Sequence, residues 1–163
     1  MPIYNTQSIR TIALVGHGAA GKTTLAETLL HAAGAIKNKG SVERGSTVSD
    51  FDPQEKSDGH SLYSAITHFD YENARVHLLD TPGYPDFAGQ AIAALAAVDT
   101  VLVVINAQTG IELMTERMMR WAKERQLCTM IVINKIDAEN VDLQSLLDEI
   151  LSLIHISEPT RPY

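Results

Sequence analysis

Residues 16–23 constrain the fold of this chain more than any other segment. They read Gly-His-Gly-Ala-Ala-Gly-Lys-Thr, which is a glycine, four free positions and then Gly-Lys-Thr. The run before them, residues 11–15, is short and apolar as a buried strand should be, and residues 24–30 have helical spacing that ends near Gly34. A glycine-rich loop between a strand and a helix predicts an α/β fold whose backbone N–H groups cradle phosphate oxygens.

The residue types in this loop predict separate roles in holding a nucleotide phosphate chain. Lys22 is expected to reach the β- and γ-phosphates as a point charge, and the Thr23 hydroxyl is expected to bind magnesium. The alternative, a chance match in a glycine-bearing turn, is disfavoured by the strand and the helix that flank the loop. The predicted phosphate contacts are Gly16, His17, Gly18, Ala19, Ala20, Gly21, Lys22, Thr23 and Thr24.

Length, charge and cysteine content narrow the class of protein. The 163 residues, 45% of them apolar, suffice for one domain with one buried core. A net charge of −7, without any basic run, offers no broad surface for nucleic acid. Cys128 is the only cysteine, no signal peptide is visible, and the most apolar window, residues 91–105, is too short to cross a bilayer. We therefore expect a cytoplasmic protein with no membrane and no DNA partner.

The rest of the chain alternates predicted strands and helices. Residues 35–59 are polar and glycine-bearing without either periodicity, and their position favours a switch loop that is ordered by a ligand. Strands are predicted at 64–70, 76–79, 101–105 and 130–133, the first two as a hairpin, and helices at 87–98, 112–125 and 143–151. Uniformly apolar strands that alternate with helices indicate a mostly parallel sheet covered on both faces.

A second motif, Asp80-Thr81-Pro82-Gly83, follows the apolar strand at 76–79. A carboxylate at the end of a buried strand beside a phosphate loop can hold magnesium, and the Gly83 N–H can meet a γ-phosphate because no side chain blocks its approach. An ordinary Pro-Gly turn is the alternative, and the position after a strand favours the binding role.

A third motif, Asn134-Lys135-Ile136-Asp137, follows the strand at 130–133. The ends of strands in open α/β sheets are where such folds bind ligands. The Asp137 carboxylate can accept from both the ring N–H and the exocyclic amine of guanine, Lys135 can lay its stem along the base, and Asn134 can tie this loop to the phosphate loop. A solvated polar turn is the alternative for this motif alone, but three motifs in this order are hard to obtain by chance.

With these three motifs, the chain resembles the N-terminal part of the GTP-binding domain of translational GTPases, and among them elongation factor G and its divergent relatives. Residues 49–56 and 106–112 carry the same likeness, which covers about residues 8–151. The resemblance implies the P-loop GTPase fold, a doubly wound and mostly parallel α/β sheet with one antiparallel hairpin strand. It also implies GTP hydrolysis coupled to ribosome movement, with GTP, GDP and Mg²⁺ as ligands.

Three departures from the family pattern affect the implied mechanism. Ser61 stands where the family has a switch threonine, so the implied magnesium ligands are Thr23, Ser61 and Asp80. Tyr84 stands where the family has the histidine that places the attacking water. Because a phenol is a poor proton acceptor at neutral pH, we expect slower or more partner-dependent hydrolysis, with Lys22, Gly83 and Tyr84 as the catalytic residues. Gly18 and Ala19 replace an apolar residue and an aspartate.

The likeness also sets expectations about the end of the chain and its cellular role. Residues 1–151 are expected to be a C-terminally truncated GTP-binding domain without its last strand and guanine-capping loop, and residues 152–163 a non-native tail. Such a chain should bind GTP weakly and aggregate rather than form a specific oligomer. The ribosome is the expected partner of the full-length protein. The alternatives are a ribosome-protection or release-factor-type GTPase, a GTP-binding switch with little hydrolysis, and a fragment without activity.

Overall fold

One five-stranded sheet organises residues 4–156, which are the part of the chain described by the computed structural model. The strands lie in the order β2-β3-β1-β4-β5, and every neighbouring pair is parallel except the β2–β3 hairpin. This arrangement confirms the predicted α/β fold with one antiparallel strand. The strands are β1 Ile9–Val15, β2 Ala65–Tyr71, β3 Ala74–Asp80, β4 Thr100–Asn106 and β5 Cys128–Asn134.

Helices cover both faces of the sheet, as the apolar strands predict. The helices are α1 Lys22–Ala32, α2 Pro53–Asp58, α3 Ala88–Leu95, α4 Leu113–Glu124 and α5 Leu143–Ile156. In β1, Ala13 and Val15 pack with α3, α4 and α5 on one face, whereas Leu14 packs with Ala26 of α1 on the other. Successive strand side chains point to opposite faces, so a strand buried on both faces must be apolar throughout.

Helix α2 lies in the loop that was expected to have no regular structure, so that expectation is wrong for residues 53–58. The Asp52 side chain accepts from the Gln54 N–H, and the Glu55 carboxylate accepts from the Asp52 N–H. Pro53 begins the helix and Gly59 ends it with φ of 70°. These are a capping box, an N-terminal proline and a C-terminal glycine, and together they stabilise a helix of less than two turns.

Two helix boundaries also differ from the prediction. The expected helix at 87–98 is a 3-10 turn, Pro85–Phe87, followed by the shorter α3. Helix α5 continues five residues beyond position 151, so the expectation that residues 152–156 are not helical is wrong. Leu146 and Ile150 anchor α5 to the core. The rest of the expected tail, residues 157–163, lies outside the described residues.

Strand β5 is one edge of the sheet in the described part of the chain. Its first three residues are exposed, and Met130 is 57% exposed. An apolar edge of this kind is a template for pairing with another chain. Among the helices in the described range, none has the length and apolar character that a bilayer crossing needs.

Candidate functional site

The three sequence motifs converge at one edge of the sheet. Leu14 of β1 pairs with Asp80 of β3, and Asn106 of β4 pairs with Asn134 of β5. Because these strands are parallel, the loops that follow them leave the sheet side by side. The loops after β1, β3 and β5 therefore share one site, as the sequence predicted.

The phosphate loop is built around two glycines that no other residue could replace. A Cβ atom on Gly16 would lie 2.3 Å from the Val104 carbonyl oxygen, and Gly16 has φ of 137°. Gly21 has φ of 95°, and its Cβ would lie 2.2 Å from Nδ2 of Asn134. The loop is thus pressed between β4 and the third motif. Helix α1 begins directly after it, which turns the free N–H groups of the helix toward the loop.

Lys22 lies folded back over this loop. Its Nζ donates to the carbonyl oxygens of His17 at 2.8 Å and of Gly16 at 3.2 Å. The residue is only 6% exposed, and burial lowers the pKa of Lys22 to about 8, against the opposing attraction of Asp80 and Glu112. An ammonium group has three donors, so one remains for a ligand oxygen.

The second motif presses against the first. A Cβ atom on Gly83 would lie 2.3 Å from Nζ of Lys22 and 2.6 Å from the Gly18 nitrogen. The Thr81 hydroxyl donates to the Leu14 carbonyl at 2.7 Å and holds the end of β3 against β1. Only a glycine fits at position 83, which supports the predicted approach of its N–H to a phosphate.

The three expected magnesium ligands, Thr23, Ser61 and Asp80, lie next to one another. Asp80 is 2% exposed, and neither of its carboxylate oxygens has a well-formed hydrogen bond within the described chain. Burial raises the pKa of Asp80 to about 6, although the nearby Thr23 hydroxyl and Lys22 ammonium oppose the shift. The Thr23 and Ser61 hydroxyl oxygens lie 3.3 Å apart. A buried carboxylate that accepts no well-formed hydrogen bond and lies beside two hydroxyls fits a hard cation such as Mg²⁺.

Asp50 belongs to this cluster, although the sequence reasoning gave it no role. Ser61 donates to Oδ1 of Asp50 at 2.7 Å, and Thr47 donates to Oδ2 at 2.9 Å. The only available signal was an acidic residue in the segment that resembles the family's first switch. Within the described residues no group of three or more His, Cys, Asp or Glu side chains is arranged to hold a metal ion. A bound Mg²⁺ would thus need water and phosphate ligands, which is its usual preference.

A cavity of about 310 Å³ opens beside these groups. The predicted site residues that line it are Gly18, Ala19, Gly21, Lys22, Thr23, Thr24, Ser61, Thr81, Gly83, Tyr84 and Lys135. The segment between α1 and β2, residues 33–64, also lines the cavity, through Val42, Glu43, Gly59 and His60. This loop therefore covers the phosphate end of the site. Pro82 is buried within the second motif, and Ala20 is buried in the phosphate loop.

The third motif reaches the phosphate loop through its first two residues. Nδ2 of Asn134 donates to the Ala20 carbonyl at 2.9 Å, which is the predicted tie between the loops. Lys135 has φ of 59° and lines the cavity. Ile136 and Asp137 are exposed and do not line it. The guanine contacts of Asp137 therefore remain a prediction.

The rings of His17 and Tyr84 lie close together, and Tyr84 lines the cavity. Nε2 of His17 is 3.4 Å from Oε1 of Glu112, which precedes α4. The Tyr84 ring lies edge-on to the His17 ring, with 6.4 Å between centroids. Tyr84 is thus part of the predicted site, at the place where the second motif faces the phosphate loop.

Comparison with known proteins agrees with this geometry. A profile of the elongation factor Tu GTP binding domain matches residues 7–160. The tetracycline resistance protein TetW of Butyrivibrio fibrisolvens is 39% identical over 87% of this chain and 22% of its own length. The mitochondrial ribosome-releasing factor 2 of Culex quinquefasciatus is 38% identical over 88% of this chain and 19% of its own.

A solved protein of Thermus thermophilus shares the fold with a TM-score of 0.86 and 39% identity, over 90% of this chain and 22% of that one. The chain thus spans about a fifth of the length of these relatives. Members of this family use GTP, GDP and Mg²⁺, which are the ligands expected from the three motifs. By its sequence motifs, its fold and these matches, the chain belongs to the elongation factor Tu GTP-binding domain family.

Proposed function

We propose that this chain binds and hydrolyses GTP as the G domain of an elongation factor G-like translation factor that acts on the ribosome in the cytoplasm. The observation that carries the proposal is that three separate motifs meet: the Lys22 ammonium interacts with the Asp80 carboxylate, and Asn134 donates to the Ala20 carbonyl of the phosphate loop. We infer the ribosome as the partner because one of the relatives is a ribosome-releasing factor.

The phosphate chain of GTP would lie along the loop at residues 16–24. Backbone N–H groups at the start of α1 and the remaining donor of Lys22 would bind its β- and γ-phosphate oxygens. Thr23, Ser61 and Asp80 would hold Mg²⁺, which when bound neutralises charge on those oxygens. The unpartnered oxygens of Asp80 support this assignment.

Hydrolysis would require a water molecule in line with the γ-phosphorus atom. The water oxygen bonds to phosphorus, the bond to the β–γ bridging oxygen breaks, and the water proton passes to the phosphate product. Gly83 would donate its N–H to the γ-phosphate, and the Tyr84 hydroxyl would orient the water by hydrogen bonding. Positioning and charge stabilisation supply most of the catalysis in such reactions, so a phenol is compatible with turnover.

Guanine recognition is assigned to Asn134, Lys135 and Asp137, with Ile136 as the spacer. Asp137→Asn tests this assignment. A carboxylate can accept from both N–H groups of guanine, whereas an amide can accept from only one of them and uses its NH₂ group to donate to the 2-oxo group of xanthine. Fluorescent nucleotides should show GTP binding weakened at least about 100-fold and XTP binding strengthened. Glu139→Gln, an exposed change two residues away, is the control. Unchanged GTP preference in Asp137→Asn would refute the guanine assignment.

A second candidate is a GTP-binding switch with little hydrolysis, which Tyr84 favours because a phenol accepts a proton poorly. Single-turnover phosphate release with and without ribosomes separates the two. Release that rises with ribosomes supports the enzyme, whereas binding without release supports the switch. A ribosome-protection or release-factor-type protein would share the same GTP chemistry.

A further inference from the structure

Gly18 is a glycine for a reason of space rather than of backbone conformation. Unlike Gly16 and Gly21, it does not have a positive φ. A Cβ atom built on Gly18 would instead lie 2.8 Å from Cζ, 2.9 Å from Cε1 and 3.1 Å from Cε2 of Tyr84. Real Cβ atoms essentially never approach another atom closer than 3.0 Å. The missing side chain is therefore the space into which the Tyr84 ring fits.

The Tyr84 ring also packs against a second loop. The His60 ring, just before Ser61, lies 4.8 Å from the Tyr84 ring between centroids, at an angle of 58°. Phe87 packs against His60 in turn, at 6.2 Å. The Tyr84 ring thus contacts both the phosphate loop and the loop that carries the Ser61 hydroxyl, while 36% of the residue stays exposed. Aromatic contacts of this tilted kind favour one ring orientation over others.

The Tyr84 atom nearest to Gly18 shows which end of the side chain lies against the phosphate loop. Cζ is the ring carbon that bears the phenol oxygen, so the hydroxyl end of Tyr84, rather than its Cβ end, lies over the phosphate loop. Tyr84, Gly18 and Lys22 all line the same cavity. A side chain at position 18 would displace the hydroxyl from the end of the cavity where a γ-phosphate would lie.

We propose that Gly18 is a positioning residue: it seats the Tyr84 ring against the phosphate loop and so fixes the hydroxyl that orients the attacking water. The role of the hydroxyl in orienting water rests on the proposed hydrolysis, whereas the placement of the Tyr84 ring rests only on the observed contacts. Gly18 and Tyr84 form a matched pair, in which the bulky residue at position 84 requires the absence of one at position 18.

The test is a double-mutant cycle in the 163-residue chain with Gly18→Ala, Tyr84→Ala and both changes together. Gly18→Ala should lower single-turnover GTP hydrolysis at least about tenfold, because displacements of about 1 Å cost up to about 100-fold. In the Tyr84→Ala background the same change should alter hydrolysis less than about twofold. GDP affinity should stay within about threefold in every variant. Tyr84→His, which lacks the Cζ–hydroxyl end, should restore tolerance of alanine at position 18.

A second readout follows the ring directly and needs no hydrolysis. With 3-fluorotyrosine incorporated, the ¹⁹F resonance that disappears in Tyr84→Phe belongs to Tyr84, and it should shift in Gly18→Ala. The control is Gly89→Ala, because Gly89 has no positive φ and open space where a Cβ would be. It should move neither the resonance nor the rate. If the wild-type chain hydrolyses no GTP either with or without ribosomes, the proposed enzymatic function fails, while this resonance still decides the ring placement.

Two results would overturn the inference. One is a Tyr84 resonance that does not move in Gly18→Ala. The other is a loss of hydrolysis of the same size with and without the Tyr84 ring, together with weaker GDP binding, which would mean that alanine damages the phosphate loop itself.

Discussion

Replacing Glu27 by glutamine is expected to loosen the loop that covers the phosphate cavity. Glu27 lies in α1 and is fully buried. Its carboxylate accepts the Gly40 N–H at 2.7 Å and also the Val48 N–H. Between those two bonds the loop carries Val42 and Glu43, which line the cavity. One side chain of the helix that follows the phosphate loop therefore holds the covering loop at two points.

The size of the effect follows from these two bonds. A glutamine amide offers one oxygen, so it can still accept from one N–H, while its NH₂ group faces the other donor. The retained bond loses its charge assistance, about 1 kcal/mol, and the unpaired N–H costs about 1–3 kcal/mol. We expect the free energy of loop opening to fall by about 2–4 kcal/mol, which makes the open fraction about 30- to 1000-fold larger.

Amide hydrogen exchange measures this opening segment by segment. Exchange across residues 38–50 should accelerate in Glu27→Gln, while β1 and β4, whose residues form the core of the sheet, keep their protection relative to global unfolding. The control is Glu124→Gln, the same chemical change at an exposed position near the end of α4. It should leave the loop protection unchanged.

Two outcomes would contradict the reasoning. If loop exchange in Glu27→Gln matched the wild type, the two backbone bonds would not hold the loop. If loop and sheet lost protection equally, Glu27 would stabilise the domain as a whole rather than the cover of the site.

Two further predictions follow from the site and the edge strand. When the chain is treated with a chelator, the free energy of unfolding should fall by up to about 3 kcal/mol as the pH rises from about 4 to about 6. The reason is that the pKa of Asp80 is about 6 in the folded state and near 3.8 in the unfolded state, so the folded state keeps this proton to a higher pH. Urea titrations should show this slope, and Asp80→Asn should remove it. Met130→Lys should reduce the aggregation that light scattering measures, because it places a charge on the exposed edge of β5. The control is Gln144→Lys, which adds the same charge on α5 and should leave aggregation unchanged.

Local patterns in the sequence were enough to predict the sheet and the three loops. Strands β1, β3 and β4 carry apolar runs because they are buried at the centre of the sheet, and the loops begin at or near the ends of the apolar runs of β1, β3 and β5, at Gly16, Asp80 and Asn134. A parallel sheet places such strand ends at one edge, so the site followed from the fold. The short helix α2 could have been predicted too, since its Asp-Pro-x-Glu start and Gly59 end were visible in the sequence.

The remaining features depend on contacts between distant residues, which local patterns do not encode. Glu27 meets Val48 21 positions later, and Ser61 meets Asp50 11 positions earlier, through a loop without periodicity. The requirement for Gly18 depends on the ring of Tyr84, 66 positions away, and not on its own backbone. Each is a property of two segments brought together by the sheet, so neither segment alone predicts it.

These distant contacts also restrict how the covering loop can respond to a nucleotide. Glu27 holds the loop at Gly40 and Val48, and buried Glu55 holds its other end by accepting the N–H groups of Leu62 and Tyr63. The cavity-lining groups of the loop lie in short segments near these attachment points, at 42–43, 50 and 59–61. A ligand that binds Ser61 or displaces Glu43 therefore acts on segments a few residues long. The energy of rearranging them is that of one or two hydrogen bonds, about 1–3 kcal/mol, which is a size that a single phosphate contact can reverse.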